Sequence, residues 1–437
     1  MKPSFPDRRA LTSRQLERLN ALLAAVRPGN RFQTSRLEAA LAPVCFDNLR
    51  DFTRRIPFTH KSELSADLAA HPPYGSNLTF PVERYTRFHQ TSGTTGAPLR
   101  WLDTPETWSA MLDCWVRVFE AAGVTASDRV VFAFTFGPFL GFWMAFEAAQ
   151  RLGCLCLPTG SLGSPARLRL ILDNQATVVC CTPTYAARLA EIAVEEAMDM
   201  SSTRVRTLIV AGEPGGSIRS VRTRLSRLWN GARVCDHHGM TEVGPVTYEC
   251  PVTPGKLHVM EEAFLAEVID SATGATVNAG DTGELVLTTL TRTASPVLRY
   301  RTGDLVRLSF APDDPQPPVC ACGSAELALE GGILGRTDDM IIVRGVNVHP
   351  SAVEGILREC GGVAEYQVEV FATAARSELS LRIEAAPGAG EPGEVAGRVQ
   401  KALQNGLNLR IPVAAVPPNS LPRFEMKARR WIRTSEP

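Results

Sequence analysis

Thr91-Ser-Gly-Thr-Thr-Gly96 places four hydroxyls and two glycines in six residues. Glycine lets backbone N–H groups approach a phosphate, and the hydroxyls add neutral donors. The run is not a P-loop, because no Lys-Ser/Thr pair follows Gly96. On composition alone an ordinary surface loop fits equally well. Phe134-Thr-Phe-Gly-Pro-Phe-Leu-Gly141 holds three aromatics and two glycines. Flat apolar walls with close backbone approach suit an aromatic ring, although an aromatic core segment would read the same way. The segment carries no Arg or Lys, so a second carboxylate on a ligand is not favoured there. Cys320-Ala-Cys322 is a tight thiol pair, and Cys250 and His258 lie upstream. Together they satisfy tetrahedral Cys3His zinc coordination. The C-x-C spacing is tighter than the commoner C-x2-C, and four reduced residues without metal are the plain alternative.

The elements that must position these residues follow from periodicity. The first 90 residues read as helices, with Leu16, Leu19, Leu22, Leu23 and Val26 forming one face of a helix over 13–26. From Val130 short apolar runs alternate with amphipathic stretches: 130–136, 141–152, 154–158, 166–174, 177–182, 183–196, 207–211 and 216–229. This β-α-β-α rhythm predicts an α/β fold with mainly parallel sheet covered by helices. A strand-rich stretch over about 256–334 predicts a small antiparallel β subdomain. After Gly335 the order β, α, β, β, α, β predicts a small α+β C-terminal domain. The expected division is a large domain over 1–337 and a small one over 338–437.

The chain has 437 residues, with 46 basic and 46 acidic. That balance argues against a nucleic-acid partner. Gly137, Pro138, Gly141 and Glu147 interrupt the most apolar stretch, so no membrane span is expected. Residues 1–20 lack an apolar h-region, and the eleven cysteines do not form a disulfide framework; a cytoplasmic location is expected.

The motifs and their order carry a resemblance. Thr91–Gly96 with Pro98 looks like the nucleotide loop of the adenylate-forming superfamily of acyl-CoA synthetases. Asp236-His-His-Gly-Met-Thr-Glu242, Tyr300-Arg-Thr-Gly-Asp304, Gly335-Arg-Thr-Asp-Asp339 with Arg344-Gly-Val-Asn347, and Leu421-Pro-Arg-Phe-Glu-Met-Lys427 resemble its later motifs, in the same order. Ile56-Pro-Phe-Thr59 with Lys61, Glu213-Pro214 and Val346-Asn-Val-His-Pro350 look like the phenylacetate–CoA ligase branch.

The resemblance implies a small mobile C-terminal domain and an ATP-dependent aryl carboxylate–CoA ligase working through an acyl-adenylate. Its substrate would be like benzoate, anthranilate or phenylacetate. An adenylation enzyme loading a carrier protein, or a non-catalytic AMP-binding protein, would share the fold. ATP, Mg²⁺ and coenzyme A are the implied cofactors, with a structural zinc, and relatives are often homodimers.

By resemblance, Thr91, Ser92, Gly93, Thr94, Thr95 and Gly96 would wrap the β- and γ-phosphates. Glu242 would hold Mg²⁺ and Thr241 would donate to the α-phosphate; outside this context the pair reads as a helix first turn. Asp304 would accept from the ribose hydroxyls. Gly212, Glu213, Pro214, Asp236 and His237 would line the adenine slot. Arg336 would join the nucleotide contacts, and Arg344 and Gly345 the pantetheine path. Phe136, Gly137, Phe139, Gly141, Ala211, Gly239 and Met240 would form the acid pocket. His238 stands where many relatives carry Tyr and would act near the acyl group. Lys427 would reach the carboxylate and α-phosphate, and Asp338 would be the hinge. Two departures stand out: Ala97 where relatives often carry Lys, and Met426 where Gly commonly precedes the lysine.

Overall fold

The computed structural model describes residues 6–91, 98–310, 318–344, 346–373, 376–425 and 427–434. The N-terminal segment is helical: α1 (Arg8–Val26), α2 (Arg31–Ala39), α3 (Leu49–Arg55) and α4 (Lys61–Ala70). The first helix begins at Arg8, ahead of the expected Ser13, because the Asp7 carboxylate caps it by accepting from the Ala10 N–H at 2.8 Å. Leu19, Leu22, Leu23 and Val26 pack with Phe46, Phe52 and Leu298. A hairpin follows, β1 (Arg87–Gln90) against β2 (Arg100–Asp103), and then α5 (Pro105–Ala121).

The β-α-β-α rhythm folds into one five-stranded parallel sheet. Its strands are β3 (Arg129–Phe132), β4 (Leu155–Pro158), β5 (Val178–Cys181), β6 (Thr207–Val210) and β7 (Arg233–Asp236), in the order β4-β3-β5-β6-β7. Alternate residues enter two different cores. Val130, Phe132, Val178, Cys180 and Ile209 face α5 and α6 (Leu140–Leu152). Val131, Val179, Cys181, Leu208 and Val210 face α7 (Ser164–Asp173), α8 (Pro183–Glu195) and α9 (Arg219–Leu228). Burial on both faces explains why the central strands β5 and β6 are almost wholly apolar runs. β7 was absent from the periodic reading, since Arg233 and Asp236 bracket only two apolar residues.

Antiparallel structure follows. β8 (Gly239–Met240) pairs with β9 (Gly244–Pro245). One three-stranded sheet has the order β10 (Thr247–Glu249), β11 (Lys256–Val259), β15 (Ala328–Glu330). A four-stranded sheet holds β12 (Phe264–Ile269), β13 (Thr282–Thr289), β14 (Tyr300–Arg307) and β16 (Gly335–Arg336).

A separate sheet is built from β17 (Ile341–Val343), β18 (Val346–Val348), β19 (Val363–Thr373), β20 (Arg376–Ala385), β21 (Val413–Val416) and β22 (Trp431–Thr434), with α10 (Pro350–Cys360) and α11 (Pro392–Leu407). β18 and β22 are additions to the expected order; β22 lies in a basic stretch and is recruited by parallel pairing to β19. Among the described residues this unit's core, including Val343, Leu357, Leu381 and Val399, contains no residue before Ile341. No helix among the described residues is long and apolar enough to cross a membrane.

Candidate active site

The β1–β2 hairpin brackets the Gly- and hydroxyl-rich run. Thr91 N–H donates to the Leu99 carbonyl, and Leu99 N–H donates to Thr91 Oγ1, each at 3.0 Å. Ser92, Gly93, Thr94, Thr95, Gly96 and Gly345 lie outside the described residues. Gln90 N–H donates to the Pro138 carbonyl at 2.9 Å, which sets the base of this run against the aromatic loop.

Thr241 and Glu242 sit in the turn of the β8–β9 hairpin and do not open a helix. A side chain at Gly239 would put its Cβ 2.8 Å from the Gly244 carbonyl oxygen, so the turn needs glycine there. The Thr241 carbonyl accepts from Arg292 Nη1 at 2.7 Å. Arg292 is itself held by both oxygens of Asp103, at 2.7 and 2.5 Å, and the two side chains are 1% and 0% exposed. Breaking a buried pair of this kind costs about 3–5 kcal/mol, so the turn carrying Glu242 is rigidly placed. Glu242 Oε1 lies 3.2 Å from Lys61 Nζ and 3.4 Å from the Tyr300 hydroxyl.

Asp304, on β14, is buried, with Arg336 Nη1 donating to Oδ1 at 3.0 Å and His238 Nε2 at 2.9 Å from Oδ2. The His238 ring is thus turned toward Asp304. Arg336 also grips Asp338 with two bonds, at 2.8 and 3.1 Å, linking Asp304 to the segment that enters the small domain. Asp236 accepts from Ser217 Oγ at 2.6 Å. Burial pushes its carboxyl up to about 7 against that hydrogen bond. The His237 ring packs edge-on against Trp115 at 4.3 Å, and burial lowers its pKa to about 3. Its side chain is therefore core.

Lys427 reaches this cleft from the small domain. A Cβ placed on Gly212 would lie 3.4 Å from Lys427 Cε. Surrounding protein lowers its ammonium pKa by desolvation, opposed by Glu213 and, more weakly, by Asp304 and Glu242. The residue as a whole is still exposed to solvent. The folded chain thus converges three groups that lie far apart in sequence: Glu242, Asp304 and Lys427.

The aromatic loop packs against α6. Phe134 stacks on Phe142 with centroids 4.1 Å apart, Phe136 contacts Trp143 and Phe146, and Phe139 meets Phe142 edge-on. Gly137 (φ +48) presents its carbonyl to the Trp143 indole N–H at 2.9 Å. α6 packs on β8, bringing Gly239 and Met240 toward this aromatic group. Gly141 lies in the first turn of α6, and Ala211 directly follows β6. Arg344 is spent on Glu378, at 2.9 and 2.6 Å.

Comparison with known proteins agrees with this geometry. Residues 88–291 match the AMP-binding enzyme family, and residues 345–434 match the AMP-binding enzyme C-terminal domain. The chain is 32% identical to the phenylacetate-coenzyme A ligase of Thermus thermophilus, covering 96% of this chain and 95% of that protein. It is 30% identical to the Escherichia coli phenylacetate-coenzyme A ligase over 90% of this chain and 87% of that protein. The chain belongs to the phenylacetate–CoA ligase family.

A solved 2-hydroxyisobutyryl-CoA ligase in the postadenylation state, bound to 2-HIB-AMP, superposes on this phenylacetate–CoA ligase relative with a TM-score of 0.87. The pair is 29% identical, covering 96% of this chain and 89% of that one. The same enzyme in an open conformation gives 0.70. The overall arrangement is thus more similar to the postadenylation form of that enzyme than to its open form.

This phenylacetate–CoA ligase family member also gathers Cys250, His258, Cys320 and Cys322, with ligand atoms all within 4.8 Å of one another. Cys250 Sγ is 3.7 Å from Cys320 Sγ, and Cys322 Sγ is 3.4 Å from His258 Nε2. Zinc–sulfur bonds of about 2.3 Å place tetrahedral sulfurs about 3.8 Å apart, so the cluster fits zinc. The other ring nitrogen of His258 lies 3.3 Å from the Glu326 carbonyl, a contact that orients metal-binding imidazoles.

Sequence reasoning missed the Arg292–Asp103 pair and gave Lys61 no role. Arg292 carries no motif. Lys61 opens α4, more than a hundred residues from Glu242, and nothing local signals their meeting.

Proposed function

We propose that this chain activates an aryl carboxylate with ATP and passes the acyl group to coenzyme A. The observation that carries this reading is the convergence of Lys427, Glu242 and Asp304 in one cleft beside the aromatic loop. A carboxylate oxygen attacks the α-phosphorus, the bond to the bridging oxygen breaks, and pyrophosphate leaves. The thiol sulfur then attacks the acyl carbon, AMP departs with the carboxylate oxygen, and the thiol proton goes to solvent. Lys427 holds the carboxylate and α-phosphate oxygens during the first step. Asp304, oriented by Arg336 and His238, receives the ribose.

Glu242 would hold Mg²⁺, which neutralises phosphate charge when bound; the fit is that of a buried hard-oxygen donor, a carboxylate that here faces the Lys61 ammonium. The phenyl rings of Phe136 and Phe139 wall an acid of aryl type. The hinge would be Asp338, between a large domain (1–337) and a small one (338–437).

The Cys/His cluster would bind a structural zinc joining the 250–258 hairpin to the 320–322 loop. Protein purified without chelator should carry roughly one zinc per chain, and Cys322→Ser well below that; zinc-free wild type would remove the metal from the account.

An acid screen tests the function. Benzoate-, anthranilate- and phenylacetate-like acids should release pyrophosphate from ATP, and CoA should convert the bound intermediate to thioester. Release of pyrophosphate with short aliphatic acids alone would overturn the aryl assignment.

A further inference from the structure

We infer that Glu213 is the positioning residue that latches the segment carrying Lys427 onto the large domain for adenylation, and not a contact for the adenine base. The inference rests on the ligase reading above. The Glu213 carboxylate joins the two domains. Its Oε1 accepts from the Thr184 N–H at 2.8 Å, in the first turn of α8, and its Oε2 accepts from the Ala428 N–H at 2.9 Å, directly after Lys427. The positive end of α8 favours a carboxylate at that place. Gly212 on one side, with φ +90, and Pro214 on the other fix the backbone that carries it. A second bond lands on the same turn: Arg430 Nη1 is 3.4 Å from Thr184 Oγ1, and Arg430 is itself held by Glu365 at 2.6 and 3.1 Å.

Docking by discrete polar contacts is what this boundary offers. Among the described residues no apolar cluster is shared between α9 and the small domain. Elsewhere the boundary carries further polar contacts, Ser164 Oγ to Glu425 Oε1 at 3.1 Å and Ser220 Oγ to the Gly355 carbonyl at 3.5 Å, beside a cleft of about 680 Å³ lined by Glu191, Arg219, Arg224, Arg358 and Arg423 among others. Of these contacts the Ala428 N–H to Glu213 bond is the one next to Lys427, so the position of the lysine depends on it. When the small domain swings away, the Ala428 N–H leaves and the carboxylate keeps only its α8 partner. The latch therefore acts in one half-reaction.

Glu213→Gln keeps the shape, yet its amide nitrogen cannot accept, so one of the two N–H groups loses its partner. Acid-dependent pyrophosphate–ATP exchange should fall roughly 10–100-fold in kcat, the scale of a small misplacement of a reacting group, with KM for ATP little changed. Conversion of supplied acyl-adenylate and CoA to thioester should stay at the wild-type rate, which also shows that the variant is folded. A raised KM for ATP with kcat kept would make Glu213 a nucleotide contact. Equal loss in both halves would make it a fold support, and no loss in either would remove the latch. If Lys427→Ala loses exchange and Glu213→Gln does not, the latch fails and the ligase reading stands. If wild type exchanges pyrophosphate with no acid, the ligase reading itself fails.

Discussion

Lys427→Ala is expected to slow acyl-adenylate formation by about 10²–10³-fold, the loss seen when a preorganised charge partner is removed from a developing transition state. The same variant given acyl-adenylate and CoA should form thioester near the wild-type rate, because the swung domain no longer presents this lysine. The asymmetry follows from placement: Lys427 stands beside Gly212 and feels Glu213, Asp304 and Glu242 only in the docked arrangement. Desolvation lowers its pKa, and the ammonium form is the one that counters phosphate and carboxylate charge. Exchange should therefore decline on the alkaline side at a pH below the usual lysine range, while thioester formation from supplied adenylate lacks that limb. Loss of both halves together would contradict the role given to Lys427.

Glu242→Gln is the second large effect. The substitution keeps the side chain's shape in a buried turn anchored by Arg292 and Asp103, so the fold should persist. It removes the carboxylate charge that balances Lys61 and would hold the cation on the phosphates. Adenylation should fall by roughly 10²-fold or more, with a higher Mg²⁺ concentration needed for half-maximal exchange. A wild-type Mg²⁺ dependence in Glu242→Gln would place the cation elsewhere.

Much of this was legible because the relevant residues lie in short linear motifs. Asp304, Glu242 and Lys427 could each be named from their neighbours. The parallel sheet was legible because strands buried on both faces are continuous apolar runs, as Val178–Cys181 is. What could not be read depends on contacts between distant segments. Glu213 reads as part of an adenine slot beside Pro214, and only the docked small domain brings Ala428 N–H to it. His238 reads as an acyl-group contact, and only β14 brings Asp304 to its ring. Arg292 and Asp103 are unremarkable charges in sequence, yet they become a fully buried pair that holds the turn carrying Glu242. β22 follows the same rule, a basic segment made into a strand by the partner it finds in β19.

The central claim is that an acyl-adenylate links the carboxylate to AMP, and oxygen tracing tests it most directly. An acceptable aryl acid labelled with ¹⁸O in both carboxylate oxygens is turned over with ATP and CoA. The account predicts one labelled oxygen in each AMP, the other in the thioester carbonyl, and unlabelled pyrophosphate. Label in inorganic phosphate or pyrophosphate, with AMP unlabelled, would contradict it.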